Sequence, residues 1–327
     1  MRRRDFITLL GGAAAGWPLA AWGQQDERAR RVGLLVANDT ERFFLDPVNA
    51  FREGLAKLGW IEQRNLQLDI LFAGTDLGRI HDAAIKLLSL SPDVVVTTTG
   101  ASTAEVRRQT QTIPIIITGG GDPGATQIVR DIAHPEGNIT GITNLYASIG
   151  GKWVELLKQA APDIERIGLV YSAQLSSRTY LPSIEAAAQA LAIKTIDMPF
   201  QDTVDIMRGI DAFAGLAGGG LIVVPPAPNA TNRTAIRRLA EQHRLPTLFH
   251  TRELAVEGGL MAYGSNPVEN WRRAASFVAR ILRGTKVSDL PLEFPTKFEL
   301  AINLKTARAL GLTVPPSLLA AADEVIE

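Results

Sequence analysis

The stretch Thr97-Thr98-Thr99-Gly100-Ala101-Ser102 follows the apolar run Val94 to Val96 and leads straight into a helical pattern. Small hydroxyl residues and a glycine at a strand-to-helix corner leave backbone N–H groups open to an acceptor. Thr99 or Ser102 has the side chain to cap the helix. The chemistry of such a corner is anion binding, of a phosphate or of a ligand carboxylate. A plain helix cap with nothing bound uses the same residues. A glycine-rich turn, "TGGGDPGA", follows the run at 113–118. Gly119, Gly121 and Gly124 fit G-x-G-x-x-G, but the next run ends in Asn144 with no acid, and Pro123 lacks the N–H a phosphate would use. Dinucleotide binding is therefore not expected. Asp122 suits a ligand ammonium, or caps a helix with Pro123 at its first position.

Other chemistries find no residues. His81, His134, His243 and His250 are far apart and form neither H-x-x-x-H nor H-E-x-x-H, so no metal centre is expected. There is no G-x-S-x-G elbow. Cysteine is absent, which removes thiolate catalysis and disulfides. "SIGGKW" has Tyr146 where a P-loop needs its upstream glycine, which leaves Lys152 at an exposed helix start. No cofactor is expected. Tyr146, Tyr171 and Tyr263 fall near the ends of strand candidates, where a ring can pack on a ligand or on a lobe edge.

The elements that must position these residues alternate. Apolar runs at 31–37, 66–72, 93–99, 113–118 and 138–143 are separated by helical patterns from Val48 to Leu58, Leu77 to Leu90, Ser102 to Gln109 and Ala125 to Ile132. The pattern then restarts, with runs at 166–172, 193–199, 220–225 and 245–250 and helices from Ser183 to Ala190, Val204 to Leu216 and Thr231 to His243. Short β-branched runs between helices mean βαβ units on parallel sheets. "TIPIII" and "RLPTLF" echo each other, each with Pro at a strand start. Two doubly wound α/β lobes are predicted, with the ligand in the cleft at the carboxyl ends of the strands. A run at 258–266, a helix from Pro267 to Arg283 and "PTKFELAINLKTARALGL" complete the chain.

The 327 residues carry 34 basic and 34 acidic side chains, so no basic excess draws nucleic acid. At the N-terminus, Arg2, Arg3 and Arg4 precede an uncharged stretch from Phe6 to Gln25 with small residues at Ala20, Ala21 and Gly23. This order is that of an export signal, and Arg3-Arg4-Asp5-Phe6-Ile7 is similar to the twin-arginine type. Cleavage near Gly23 would remove three arginines and Asp5 and leave a net charge of −2. The mature chain is expected to be periplasmic and not membrane-spanning, with the twin-arginine export machinery as a partner.

Seven blocks, "AFREGLAKLGWIEQRNLQLD", "PDVVVTTTGAS", "TIPIIITGGGDPGATQIV", "PEGNITGIT", "GGKWVELLKQAAPDIERIGLVY", "HRLPTLFHTRELAVEGGLMAYG" and "PTKFELAINLKTARALGLTVPPSLLAAADEVIE", carry a family likeness. From about Arg31 to Glu327 the chain resembles the substrate-binding proteins of ABC importers, in the group with tryptophan- and phenylalanine-binding members. The resemblance implies a type I periplasmic-binding-protein fold with three crossings between the lobes. It also implies a small-molecule ligand, an ABC permease and its ATPase. The lobes implied are 31–144 plus 265–290 and 145–264 plus 291–327, after a signal peptide at 1–23, with hinges near Asn144, Gly264 and Pro291. The expected ligand contacts are Asn38, Thr99, Gly100, Ala101, Ser102, Gly121, Asp122, Tyr171 and Tyr263. Two departures from the family pattern stand out: Asn38-Asp39-Thr40 after the first strand, and Pro225-Pro226 where a polar residue is common. The function expected is capture of a small polar ligand, such as an amino acid or related carboxylate, and its delivery to an importer. An exported cofactor-dependent enzyme and a ligand-sensing module for a membrane receptor are the other readings.

Overall fold

The computed structural model describes residues 28–37, 42–119, 131–135, 137–144, 146–173, 178–225 and 230–327. Strands β1 (Arg30–Val36), β2 (Leu66–Phe72), β3 (Val94–Thr97), β4 (Ile115–Ile117) and β5 (Ile139–Gly141) pair in the order β2-β1-β3-β4-β5. Every pairing in this sheet is parallel. Helices α1 (Arg42–Lys57), α2 (Leu77–Ser89) and α3 (Gly100–Gln109) make its crossovers. The helix expected from Ala125 to Ile132 falls mostly outside the described residues, and Asp131 and Ile132 are not helical.

The second sheet contains β6 (Arg166–Ser172), β7 (Lys194–Phe200), β8 (Gly219–Val223), β9 (Thr247–Phe249), β10 (Met261–Ser265), β11 (Phe298–Asn303) and β12 (Glu324–Ile326). Their order is β12-β11-β10-β9-β8-β6-β7, with β11 antiparallel to β10. Helices α4 (Ile149–Ala160), α5 (Leu181–Ala190), α6 (Thr203–Ala214), α7 (Ala230–Gln242) and α8 (Arg252–Val256) connect these strands. Then come α9 (Pro267–Leu282), α10 (Leu304–Leu310) and α11 (Pro316–Ala321). Five strands of this sheet, β7-β6-β8-β9-β10, repeat the order of the first sheet. The strands thus correspond as β1 with β6, β3 with β8 and β4 with β9.

Each sheet is buried on both faces, as parallel strands of near-continuous apolar residues must be. Val32, Leu34, Val36, Val94 and Val96 pack with Phe51, Trp271 and Val278 of α1 and α9. Leu35, Val95, Ile115 and Ile117 point the other way, to Ile80, Leu87 and Val106 of α2 and α3. The second sheet divides likewise. Ile167, Leu169 and Ile222 face Trp153 and Ile184, whereas Val170, Leu221 and Val223 face Ile210, Phe213 and Ile236. Alternation along each strand therefore builds four apolar layers, two per sheet.

Candidate functional site

The corner after β3 is closed by its own hydroxyls. Thr99 is extended, with φ −139° and ψ 160°, and its Oγ1 accepts from the Ser102 N–H at 3.2 Å. In return the Thr99 N–H donates to Ser102 Oγ at 3.1 Å. This is a capping box with serine in the reciprocal position. The Thr97 and Thr103 hydroxyls share a bond of 2.7 Å, and Thr98 Oγ1 accepts from the Ala37 N–H at 3.0 Å. Ser102 and Thr103 are buried, Thr99 and Gly100 are half-buried, and Ala101 is exposed. The hydroxyls thus build the corner. What it offers outward is backbone, since the first-turn N–H groups of Gly100 and Ala101 have no acceptor within the helix.

The next strand end packs against this one. Thr118 Oγ1 donates to the Thr97 carbonyl at 3.2 Å. A Cβ on Gly119 would stand 2.5 Å from the Thr98 carbonyl oxygen and 2.9 Å from the Asn144 side-chain nitrogen. Only a residue without Cβ allows that approach. Asn38, Gly121 and Asp122 lie outside the described residues.

In the second sheet, Tyr171 on β6 is buried in the layer that holds Trp153 and Tyr180. Burial, and then the neighbouring Asp197 carboxylate, raise its phenol above the ordinary value. Tyr263 on β10 is half-buried, and its carbonyl accepts from Trp153 Nε1 at 2.8 Å. After β8, Val224 and Pro225 are buried and apolar. A polar group appears one strand over instead. His250 follows β9, is 8% exposed, and its ring meets the Val223 backbone. Burial lowers its pKa to about 4, and no charged side chain contributes to that shift. The sequence marked His250 only as a non-metal histidine; its place at the end of an apolar strand was the available signal.

The shifted imidazole makes stability pH-dependent with a definite sign. Below the unfolded value of 6.5 the unfolded chain takes up a proton that the folded one refuses until about pH 4. Stability is lost as pH falls through this window. Between pH 7.5 and pH 5 wild type is expected to lose about 2 kcal/mol more than His250→Gln, read by urea unfolding. Equal losses in the two proteins would contradict the shift.

The segments that join the sheets are tied by side chains. Asn144 Oδ1 accepts from Asn270 Nδ2 at 3.2 Å, and Asn270 also reaches Ser265 Oγ at 3.3 Å. Asn266 caps α9 through the Glu269 N–H and donates to both Glu299 oxygens, at 2.9 and 3.1 Å. Tyr146 stacks on Phe294 with centroids 4.6 Å apart, and Phe298 lies 6.0 Å from Tyr146 and 5.8 Å from Tyr263. Phe294 packs on a layer of the first sheet, Phe298 and Tyr263 on one of the second. Ile142 still bridges Glu293, so the last crossing runs beyond Glu293. Among the described residues no group of three or more His, Asp or Glu is placed to hold a metal ion, and no helix is long and apolar enough to cross a membrane.

Two doubly wound α/β lobes joined by several crossings make the two-lobed class of α/β protein, whose ligands bind at the carboxyl ends of the strands. The sequence profile described as "ABC transporter substrate binding protein" matches residues 43–326, and the chain belongs to this family. The tyrosine-binding protein of Clostridioides difficile (strain R20291) is 23% identical over 265 residues, 80% of this chain and 75% of that protein. The ABC domain in complex with L-Trp from Streptococcus pneumonia superposes with a TM-score of 0.83 at 22% identity, over 91% of this chain and 99% of that one. The ligand-free, open structure of a substrate binding protein with adhesive properties from Clostridium difficile gives 0.70 at 23% identity, over 91% and 99%. The family is one of substrate-binding proteins and not of enzymes, which sets aside the exported-enzyme reading.

Proposed function

We propose that this substrate-binding protein captures an amino acid with an aromatic side chain and presents it to an ABC permease and its ATPase. One observation carries the reading: the β3 corner spends its hydroxyls on its own capping box and leaves the Gly100 and Ala101 N–H groups for a carboxylate. A helix end with free donors favours a negative group. The named ligands of two similar proteins, tyrosine and L-Trp, support the choice of class. Asn38, Gly121 and Asp122 complete the polar part of the site in this reading, and the half-buried Tyr263 its aromatic part, whereas Tyr171 belongs to the core layer. The lobes it uses are 31–144 plus 265–294 and 145–264 plus 295–327, with the last boundary moved from 291 because Glu293 pairs with Ile142, and they close on the ligand about the crossings.

A thermal-shift panel of L-tryptophan, L-tyrosine, L-phenylalanine and non-aromatic amino acids tests this. A ligand that binds only the folded state at a hundred times its Kd adds about 2.7 kcal/mol of stability. A rise in Tm is expected with at least one aromatic member. No rise with any amino acid rejects the class.

We also propose that the chain reaches the periplasm by the twin-arginine route, with residues 1–23 removed. Support comes from Arg3-Arg4 ahead of a Gly- and Ala-rich uncharged stretch. Replacing both arginines by lysine should hold the precursor in the cytoplasm. Unchanged periplasmic yield on fractionation would reject the route.

A further inference from the structure

The two sheets repeat one strand order, so each strand end in one lobe has a counterpart in the other. The residue after β4 is Thr118, and the residue after β9 is His250. Both reach back to the neighbouring strand end. Thr118 Oγ1 donates to the carbonyl of Thr97, the last residue of β3. The His250 ring meets the backbone of Val223, the last residue of β8. The His250 Nδ1 is buried without a hydrogen-bond partner.

An unpaired buried acceptor costs about 1–3 kcal/mol, so a donor that reaches this one, from ligand or water, recovers that free energy. The position narrows the choice of partner. β9 is the middle strand of its sheet, and its carboxyl end lies on the ligand side of an open α/β lobe. The neighbouring strand end, Val224-Pro225, has no side chain that can bond a polar ligand. The residue is also held in place. A Cβ on Gly264 would stand 1.9 Å from the His250 carbonyl oxygen, so β10 lies directly against its backbone.

We propose that His250 is a ligand contact of the second lobe, with Nδ1 accepting a hydrogen bond from a donor on the bound amino acid. The donor is the ammonium or the ring N–H or O–H. This rests on the amino-acid reading of the cleft. Burial keeps the imidazole neutral near pH 7, as an acceptor must be.

Two near-isosteric variants separate this role from a structural one. Asparagine at 250 puts an amide oxygen near the place of Nδ1 and gives up the reach to Val223. Glutamine keeps the reach and gives up the near acceptor. Calorimetric titration with L-tryptophan and with L-tyrosine is expected to show His250→Gln at least about tenfold weaker than wild type, and His250→Asn closer to it. A purely structural His250 predicts the reverse order, because it needs only the reach to Val223. His250→Gln binding as wild type does overturns the inference alone. Wild type binding neither amino acid overturns the amino-acid reading, and this inference as stated falls with it. If His250→Gln does not fold, the ¹⁵N signal of His250 Nδ1 in labelled wild type decides. A shift of that signal on adding ligand is expected, and an unmoved or already protonated Nδ1 overturns the role.

Discussion

Trp153→Ala is expected to cost about 3–5 kcal/mol, the largest loss of any single side chain considered for this protein. Trp153 is fully buried on α4 and packs on Tyr180 with centroids 5.5 Å apart. It is also tied to a strand carbonyl, through Nε1 and Tyr263 at 2.8 Å. Truncation leaves a large cavity beneath β6 and β8 and removes a donor from a carbonyl that leads into the crossing at Ser265. Trp153→Phe separates the two terms. It keeps most of the ring volume and loses the bond, so it should cost less than the alanine variant by the cavity contribution. Chemical unfolding of the three proteins gives the numbers. A loss under about 1 kcal/mol for Trp153→Ala would mean that the layer collapses into the gap, against the density expected of a packed interior.

The fold was legible because its signals are local. Val94 to Val96 and Ile115 to Ile117 are short β-branched runs with no polar interruption, and that pattern belongs to parallel strands covered on both faces. Helix limits moved by a few residues where capping, not hydropathy, sets the start. Thr99 caps α3, so the helix begins at Gly100 and not at Ser102. The site was harder to read. The corner's hydroxyls looked outward in the sequence, yet reciprocal bonding turns Ser102 inward. Tyr171 sits at a strand end but shares the parity of Leu169, which places both in the layer with Trp153. The meaning of His250 depends on Val223 and Gly264, residues far away in the chain that only the sheet order brings near. The aromatic links from Phe294 through Tyr146 to Phe298 likewise exist only once two crossings run side by side.

Asp122→Asn is expected to weaken amino-acid binding about tenfold to hundredfold, which corresponds to a charge-assisted hydrogen bond worth roughly 1.5–3 kcal/mol. An amino acid carries a carboxylate and an ammonium on one carbon, so a site that receives the first at the Thr99–Ser102 corner needs an anion nearby for the second. Asp122 follows β4 in the chain, and β4 pairs directly with β3 in register from Val95 and Ile115 to Thr97 and Ile117. It is the acidic residue nearest in sequence to the end of that neighbouring strand. The competing role is helix capping, with Pro123 at the first helical position. Asparagine caps as well as aspartate, so that role predicts an Asp122→Asn variant nearly unchanged in stability and in binding. Ser102→Ala supplies the scale. Removing its hydroxyl breaks one half of the capping box but leaves the Gly100 and Ala101 donors, so binding should fall by less than for Asp122→Asn. Titration of wild type and both variants with the amino acid found in the thermal-shift panel orders them. Equal affinity for wild type and Asp122→Asn would remove the ammonium role and leave Asp122 as a cap. A loss confined to ligands with a free ammonium, absent for their N-acetylated forms, would assign the charge directly.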